Sequence, residues 1–306
     1  MNRIVLAAMA LAVLLGAGSA SAQVPPDIAA RLKAIGPRID PSVGPLYAPL
    51  LPSGPYPGVA VVRDLAYGAD PLQKLDVFTP TPKAAGLRPV LLFVHGGGFV
   101  RGDKHMAGTP FTDNQLVWAV QHGMVGVNIN YRLAPKDPWP AGVKDLTAAI
   151  AWTRAHIKAH GGDPDRIFIW GHSAGANHVA DYVAHPEMRG AEVAGVKGAI
   201  LLSPFYAAAA GPQANAYYGT DADLQTLQPA IGRLVKARIP LFLAGAEYDP
   251  EGFQVFRDAL KDGLCKAGRC PGYVFLKDHD HLSEGFAVGT SDESLTGPML
   301  KWIQGR

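Results

Sequence analysis

Several things are scarce in this chain. It holds only two cysteines in 306 residues, Cys265 and Cys270, too few for a disulfide-dense scaffold or a four-cysteine metal knot. It has no excess of one charge: 28 Lys and Arg stand against 26 Asp and Glu. That balance leaves no basic stripe to hold nucleic acid and no acidic field. There is no internal repeat and no low-complexity tract, which excludes solenoids and disordered linkers. Glycine and proline are frequent but follow no period, so a collagen-like rod is excluded too. The apolar run at 4–15 is twelve residues long, short of the ~20 needed to cross a bilayer.

That short run has another use. Arg3 precedes it, and the small residues Ala20-Ser21-Ala22 follow it ahead of Gln23. Charge, apolar segment and small-residue cleavage site in that order predict a secretory signal peptide over 1–22. No cysteine follows the cleavage site, so a lipoprotein anchor is not expected. The mature protein is expected to be periplasmic or secreted, with no stable membrane anchor. In such an oxidising compartment Cys265 and Cys270 are expected to pair, closing a short loop of modest entropic effect.

With 48% hydrophobic residues, the remainder can bury a large core. Residues 23–57 are proline-rich with one amphipathic stretch at 28–35, and predict an N-terminal arm or partial lid. From 58 to 306 strands and helices alternate, with no linker to divide them, and predict one catalytic domain. Residues 59–67 and 75–78 alternate like strands and predict an initial antiparallel pair. A continuous apolar run at 90–94 and largely apolar segments at 124–129, 167–170, 196–202, 240–243 and 273–276 predict buried strands. Helical spacing predicts helices over 111–122, 139–159, 174–184, 224–237, 253–266 and 295–303. This alternation requires a mostly parallel sheet with helices on both faces, and ligands bind such sheets at the carboxyl ends of the strands.

Three segments at predicted strand ends carry chemistry. Gly171-His172-Ser173-Ala174-Gly175 is a G-x-S-x-G elbow: small residues on either side permit a sharp strand-to-helix turn that exposes the Ser173 hydroxyl as a nucleophile. His95-Gly96-Gly97-Gly98-Phe99 offers unobstructed amides, and those of Gly97 and Gly98 with that of Ala174 are the expected oxyanion hole. No Gly-Lys-Ser/Thr follows, so the loop is not a nucleotide P-loop. His95 is expected to hold that loop rather than to move protons. Asp249 follows the 240–243 run and is the expected acid, with Glu247 as the alternative. His281 is the expected base, with His279 as the alternative. The order Ser…Asp…His is that of an α/β-hydrolase. Asp278-His279-Asp280-His281 also invites a metal reading, but no further ligand with suitable spacing accompanies it, so neither metal nor cofactor is expected. Arg132 and Asp145 are expected to pair and tie a loop to the next helix.

These segments, with Tyr131-Arg132-Leu133-Ala134-Pro135 and Asp249-Pro250, resemble the α/β-hydrolases of the hormone-sensitive-lipase type, including bacterial carboxylesterases and feruloyl-esterase-like enzymes. The resemblance implies an eight-stranded sheet and hydrolysis of a small-molecule ester through an acyl-enzyme. His172 stands where the lipase-type members usually carry Asp. Gly-His-Ser-Ala-Gly is closer to feruloyl-esterase-like enzymes and kynurenine formamidases, so an arylformamidase acting on an amide with the same triad is the alternative activity. Phe99, Trp139, Phe205, Tyr206, Tyr217 and Tyr218 are the expected lining of an apolar pocket for short-chain or aryl esters.

Overall fold

The computed structural model describes residues 23–83, 85–189, 195–205, 216–219 and 231–306. The expected leader 1–22, Tyr206 and the first part of the 224–237 helix lie outside the described residues. Eight strands form one sheet: β1 (Val59–Ala66), β2 (Lys74–Pro80), β3 (Arg88–Val94), β4 (Val125–Ile129), β5 (Gly162–His172), β6 (Val196–Leu202), β7 (Leu241–Tyr248) and β8 (Gly272–Asp280). Their order across the sheet is β1-β2-β4-β3-β5-β6-β7-β8. The β1–β2 and β2–β4 pairs are antiparallel and all others parallel. The eight-stranded, mostly parallel sheet implied by the resemblance is therefore present.

Alternate residues of the central strands feed two cores, which is why these strands read as unbroken apolar runs. Leu92, Val94, Ile167, Ile169 and Leu201 pack with α4 (Ala141–His156), α5 (Ala174–Ala184), α6 (Ile231–Lys236) and α7 (Glu251–Lys266). Leu91, Phe93, Phe168, Trp170 and Ile200 face the other way, onto α3 (Asn114–Gln121) and α8 (Thr296–Gln304). Some bounds differ from the sequence expectations. α3 starts at Asn114 rather than 111 because Thr112 has a positive φ of 66°, which no right-handed helix accommodates. β7 and β8 outrun their apolar cores as far as Tyr248 and Asp280, whose backbones still pair. The ladder continues on main-chain hydrogen bonds after the side-chain pattern has ended.

The N-terminal arm is built from α1 (Pro26–Ile35), α2 (Gly44–Tyr47) and short 3₁₀ turns. Its apolar residues Ile28, Leu32, Val43 and Tyr47 form a separate cluster with Phe111, Leu282, Phe286 and Ala287. Phe111 stacks on Phe286 at 3.9 Å between ring centroids. The arm thus rests against the segment that follows β8. Cys265 and Cys270 form a disulfide between the end of α7 and the start of β8. Among the described residues, no helix is long and apolar enough to cross a membrane.

Candidate functional site

The chain runs from β3 through α3 to β4, then crosses by α4 to β5 on the far side of β3. Connections leave in opposite directions at this point and open a crevice beyond the strand ends. His95 follows β3, Ser173 follows β5, Ser203 follows β6, Asp249 follows β7 and His281 follows β8. Five parallel strands therefore deliver these residues to one edge of the sheet.

Ser173 sits on a strained turn, with φ 54° and ψ −123°, a conformation that survives only where the surroundings enforce it. The enforcement is steric. A Cβ on Gly171 would lie 2.3 Å from Gly175 O, and one on Gly175 would lie 2.1 Å from Val94 O. Only glycine lets β5, the elbow and β3 approach this closely. Ser173 N–H donates to Leu202 O at 2.9 Å, which fixes the elbow to β6. The glycine loop comes near the serine: a Cβ on Gly96 would lie 3.1 Å from Ser173 Cβ. Gly97 has φ 124° and Gly98 φ 62°, so the loop folds through conformations that turn its amides away from a regular strand. Buried His95 holds the loop, with Nδ1–H donating to Gly96 O at 2.7 Å. Tyr131 OH adds a bond to His95 O at 3.0 Å.

Asp249 and His281 meet directly. His281 Nδ1–H donates to Asp249 Oδ1 at 2.8 Å, and both side chains are 1% exposed. Asp249 Oδ2 also accepts from Ser203 Oγ at 2.6 Å and from Ala246 N–H at 2.9 Å. Burial works to raise the Asp249 carboxyl, but His281, Ser203 and the Ala246 amide outweigh it and hold the group below the ordinary carboxylate range. With Nδ1 carrying the proton, His281 Nε2 is left as an acceptor. It is buried and has no hydrogen-bond partner. Ser173 Oγ is therefore not yet bonded to it. The His281 ring lies 4.9 Å from that of His172, the residue beside Ser173.

The two alternatives are engaged elsewhere. His279 contacts Ser283 Oγ at 3.0 Å through Nδ1 and Ser294 Oγ at 3.1 Å through Nε2, and that Nε2 also lies 3.0 Å from Asp292 Oδ2. Glu247 Oε2 accepts the Asp278 amide at 2.8 Å. Neither touches the Asp249–His281 pair. The expected Arg132–Asp145 tie is present: the fully buried Asp145 accepts from the Arg132 amide at 2.7 Å, from its guanidinium at 2.7 Å, and from Gln73 at 2.8 Å.

Ser203 and Glu284 were not singled out from the sequence. Ser203 Oγ lies 2.6 Å from Asp249 Oδ2 and 3.0 Å from Glu284 Oε2. Glu284 Oε1 lies 3.2 Å from His172 Nε2, whose N–H donates to His281 O at 2.8 Å. Burial, reinforced by neighbouring His281, pushes His172 down to about 3, so it is neutral. For Glu284 the usable signal was its place three residues beyond the expected base, and for Ser203 its place directly after the 196–202 strand. His172, His281 and Glu284 bring ligand atoms within 4.8 Å of one another, close enough for a metal ion. A metal there would need His281 Nε2 or would displace Asp249 from Nδ1, and His172 Nε2–H is already used, so these residues are better suited to a hydrogen-bonded network.

Two groups of aromatic rings flank the site. Phe99 stacks on Tyr217 at 4.7 Å and meets Tyr218 edge-on at 5.4 Å. On the other side Phe253 lies 4.6 Å from His281 and 4.8 Å from Phe205. Asn177 binds Phe205 at both its amide and its carbonyl.

Comparison with known proteins agrees with this fold. A family profile described as alpha/beta hydrolase fold matches residues 91–276. Esterase LipC of Mycobacterium tuberculosis is 38% identical over 115 residues, 38% of this chain and 28% of that protein. A probable isoprenylcysteine alpha-carbonyl methylesterase of Arabidopsis thaliana is 27% identical across 71% of this chain and 58% of its own. The chain thus spans less than two thirds of these relatives. Esterase B of Lactobacillus rhamnosis superposes with a TM-score of 0.68 at 20% identity, over 91% of both chains. An esterase of Rhizomucor miehei gives 0.68 at 23% identity, over 93% of this chain and 98% of that one. At such identities the two structures speak for the fold.

Proposed function

Because the chain belongs to the alpha/beta hydrolase fold family, we propose that it is a serine carboxylesterase acting on short-chain or aryl esters, with Ser173, His281 and Asp249 as its triad. The observation that carries this reading is the buried His281–Asp249 bond, which leaves Nε2 as a free acceptor beside the strained Ser173 elbow. The names of the relatives, esterases in four separate organisms, support the same bond type. His281 Nε2 takes the Ser173 proton as Oγ attacks the ester carbonyl. Catalytic hydrogen bonds are often long before substrate arrives, and this one closes on binding. The amides of Gly97, Gly98 and Ala174 receive the oxyanion at the start of α5, whose dipole favours negative charge. His281 then protonates the leaving alcohol, forming an acyl-Ser173 that water cleaves by the same route. Asp249 keeps the imidazole in the required tautomer throughout. The rings of Phe99, Tyr217, Phe205 and Phe253 favour a small apolar or aromatic ester.

A fluorophosphonate probe should label Ser173 covalently, and Ser173→Ala should abolish both labelling and turnover of p-nitrophenyl acetate. Folded protein that resists the probe refutes the assignment. His172 keeps the arylformamidase reading in play, because Gly-His-Ser-Ala-Gly is the elbow of kynurenine formamidases. Faster turnover of N-formylkynurenine than of the acetate ester would select it. We further propose export through the leader 1–22, which predicts mature protein beginning at Gln23.

A further inference from the structure

We infer that Glu284 is a positioning residue of this reaction: it stands as a neutral carboxylic acid and passes a hydrogen bond through Ser203 to Asp249, so that one negative charge rather than two faces His281. This rests on the esterase reading above. Proton counting carries it. Ser203 Oγ contacts Asp249 Oδ2 at 2.6 Å and Glu284 Oε2 at 3.0 Å, yet a hydroxyl has a single proton to give. If both acids were ionised, one of those contacts would set lone pairs against lone pairs in a dry site, since Glu284 is 0% and Asp249 1% exposed.

Asp249 is the acid equipped to be ionised, because His281, Ser203 and the Ala246 amide all donate to it. Glu284 has no such set. Its other near neighbour, His172 Nε2, gives its proton to His281 O, and Glu284 Oε1 has no hydrogen bond of its own. A buried carboxyl so poorly supplied keeps its proton. Glu284 Oε2–H then donates to Ser203 Oγ, and Ser203 Oγ–H donates to Asp249 Oδ2. Every contact in the chain has one proton and one acceptor.

The surroundings act in the same direction. Burial and the Asp249 charge push Glu284 well up, and Asp280 adds to this. The Ser203 hydroxyl opposes them, as does Arg257 on α7, but Ser203 has one proton to share between two acids and Arg257 is already bound to Asp258 at 2.9 Å. His172 is neutral. Ser203 itself has a positive φ of 43°. That strained backbone holds its hydroxyl between the two acids. A second ionised carboxylate here would hold the proton on His281, slow its delivery to the leaving group, and shrink the neutral fraction able to accept from Ser173.

The test compares Glu284→Gln, Glu284→Ala and Ser203→Ala by kcat/KM against pH with p-nitrophenyl acetate, alongside thermal unfolding. Loss of a hydrogen bond to a charged group predicts that Glu284→Ala and Ser203→Ala lower kcat about 10- to 100-fold with KM little moved. Glu284→Gln keeps a donor for Ser203 in a side chain of the same shape. It should recover kcat to within about threefold, with the acid limb in its wild-type place. A Gln variant as damaged as the Ala variant, or one whose acid limb moves, means that Glu284 acts ionised and overturns the inference. Wild-type kcat in both Ala variants overturns it as well.

Unfolding gives a readout independent of turnover. A carboxyl raised in the folded state adds stability below its unfolded value and loses it as pH rises through the folded one. The melting temperature of Glu284→Gln should therefore gain on wild type as pH rises above the ordinary carboxylate range; a constant difference refutes the neutral acid. If instead wild-type Ser173 resists the fluorophosphonate, the esterase reading fails, while the melting comparison still reports on the Glu284 proton.

Discussion

Two histidines, two residues apart, should differ in what their loss does to turnover. His279 is 1% exposed and lies 3.0 Å from Asp292 Oδ2, which is 1% exposed as well. Replacing His279 by Ala strands a buried carboxylate. Breaking a buried pair in this way costs about 3–5 kcal/mol. Asp292 keeps the amide and hydroxyl of Ser294 at 2.9 and 2.6 Å, so the lower end, about 3 kcal/mol, applies. For a domain of this size that lowers Tm by about 6–12 °C. His279→Ala should therefore melt early while each folded molecule turns over almost normally. His281→Ala strands Asp249 in the same way, with Ser203 and Ala246 still bonded to it, so it should lose a similar ~3 kcal/mol yet remain folded at the assay temperature. It removes the proton acceptor, however, and kcat should fall by about 10⁴-fold or more. The assays are differential scanning calorimetry and turnover of p-nitrophenyl acetate normalised to titrated, folded protein. An inactive but stable His279→Ala beside an active His281→Ala would refute the reasoning.

Asp249→Asn should lower kcat by about 10⁴-fold by disturbing the His281 tautomer. Because the folded Asp249 carboxyl is held below its ordinary value, its stabilising effect is present above the unfolded value of about 3.9 and is lost as pH falls through the folded one. Urea titrations should thus show the wild-type advantage over Asp249→Asn closing on acidification. Gly175→Ala forces a methyl to within 2.1 Å of Val94 O; it should cost about 1–3 kcal/mol and suppress fluorophosphonate labelling, and wild-type labelling would contradict the steric account of the elbow. Asp145→Asn places an amide among three donors and should destabilise by about 3 kcal/mol while leaving kcat per folded molecule intact; lost kcat in well-folded protein would make Arg132–Asp145 more than a strut.

Strands were the most readable part of the sequence, because burial on both faces writes itself as runs such as Val90–Leu91–Leu92–Phe93–Val94. Their carboxyl ends were less readable. Beyond Leu243 and Leu276 the pairing persists through polar residues whose only signal is backbone hydrogen bonding. The elbow was legible because steric necessity at Gly171 and Gly175 restricts residue choice. Choosing His281 over His279 was harder: both are fully buried histidines beside an Asp, and only the path of the chain after β8 separates them. Ser203 and Glu284 were not seen at all. A buried glutamate leaves no periodicity, and its partners are about 80 and 110 residues earlier in the chain.

The N-terminal arm has one more implication. Its apolar residues, among them Leu32 and Tyr47, find their partners in Leu282, Phe286 and Ala287, which a ribosome makes much later. Such long-range closure comes late and slowly. A partly made polypeptide therefore has neither the cover for those greasy side chains nor the loop that bears His281. The proposed active site is complete only after the segment that follows β8 has been made and has met the arm, so synthesis and activity are separated in time.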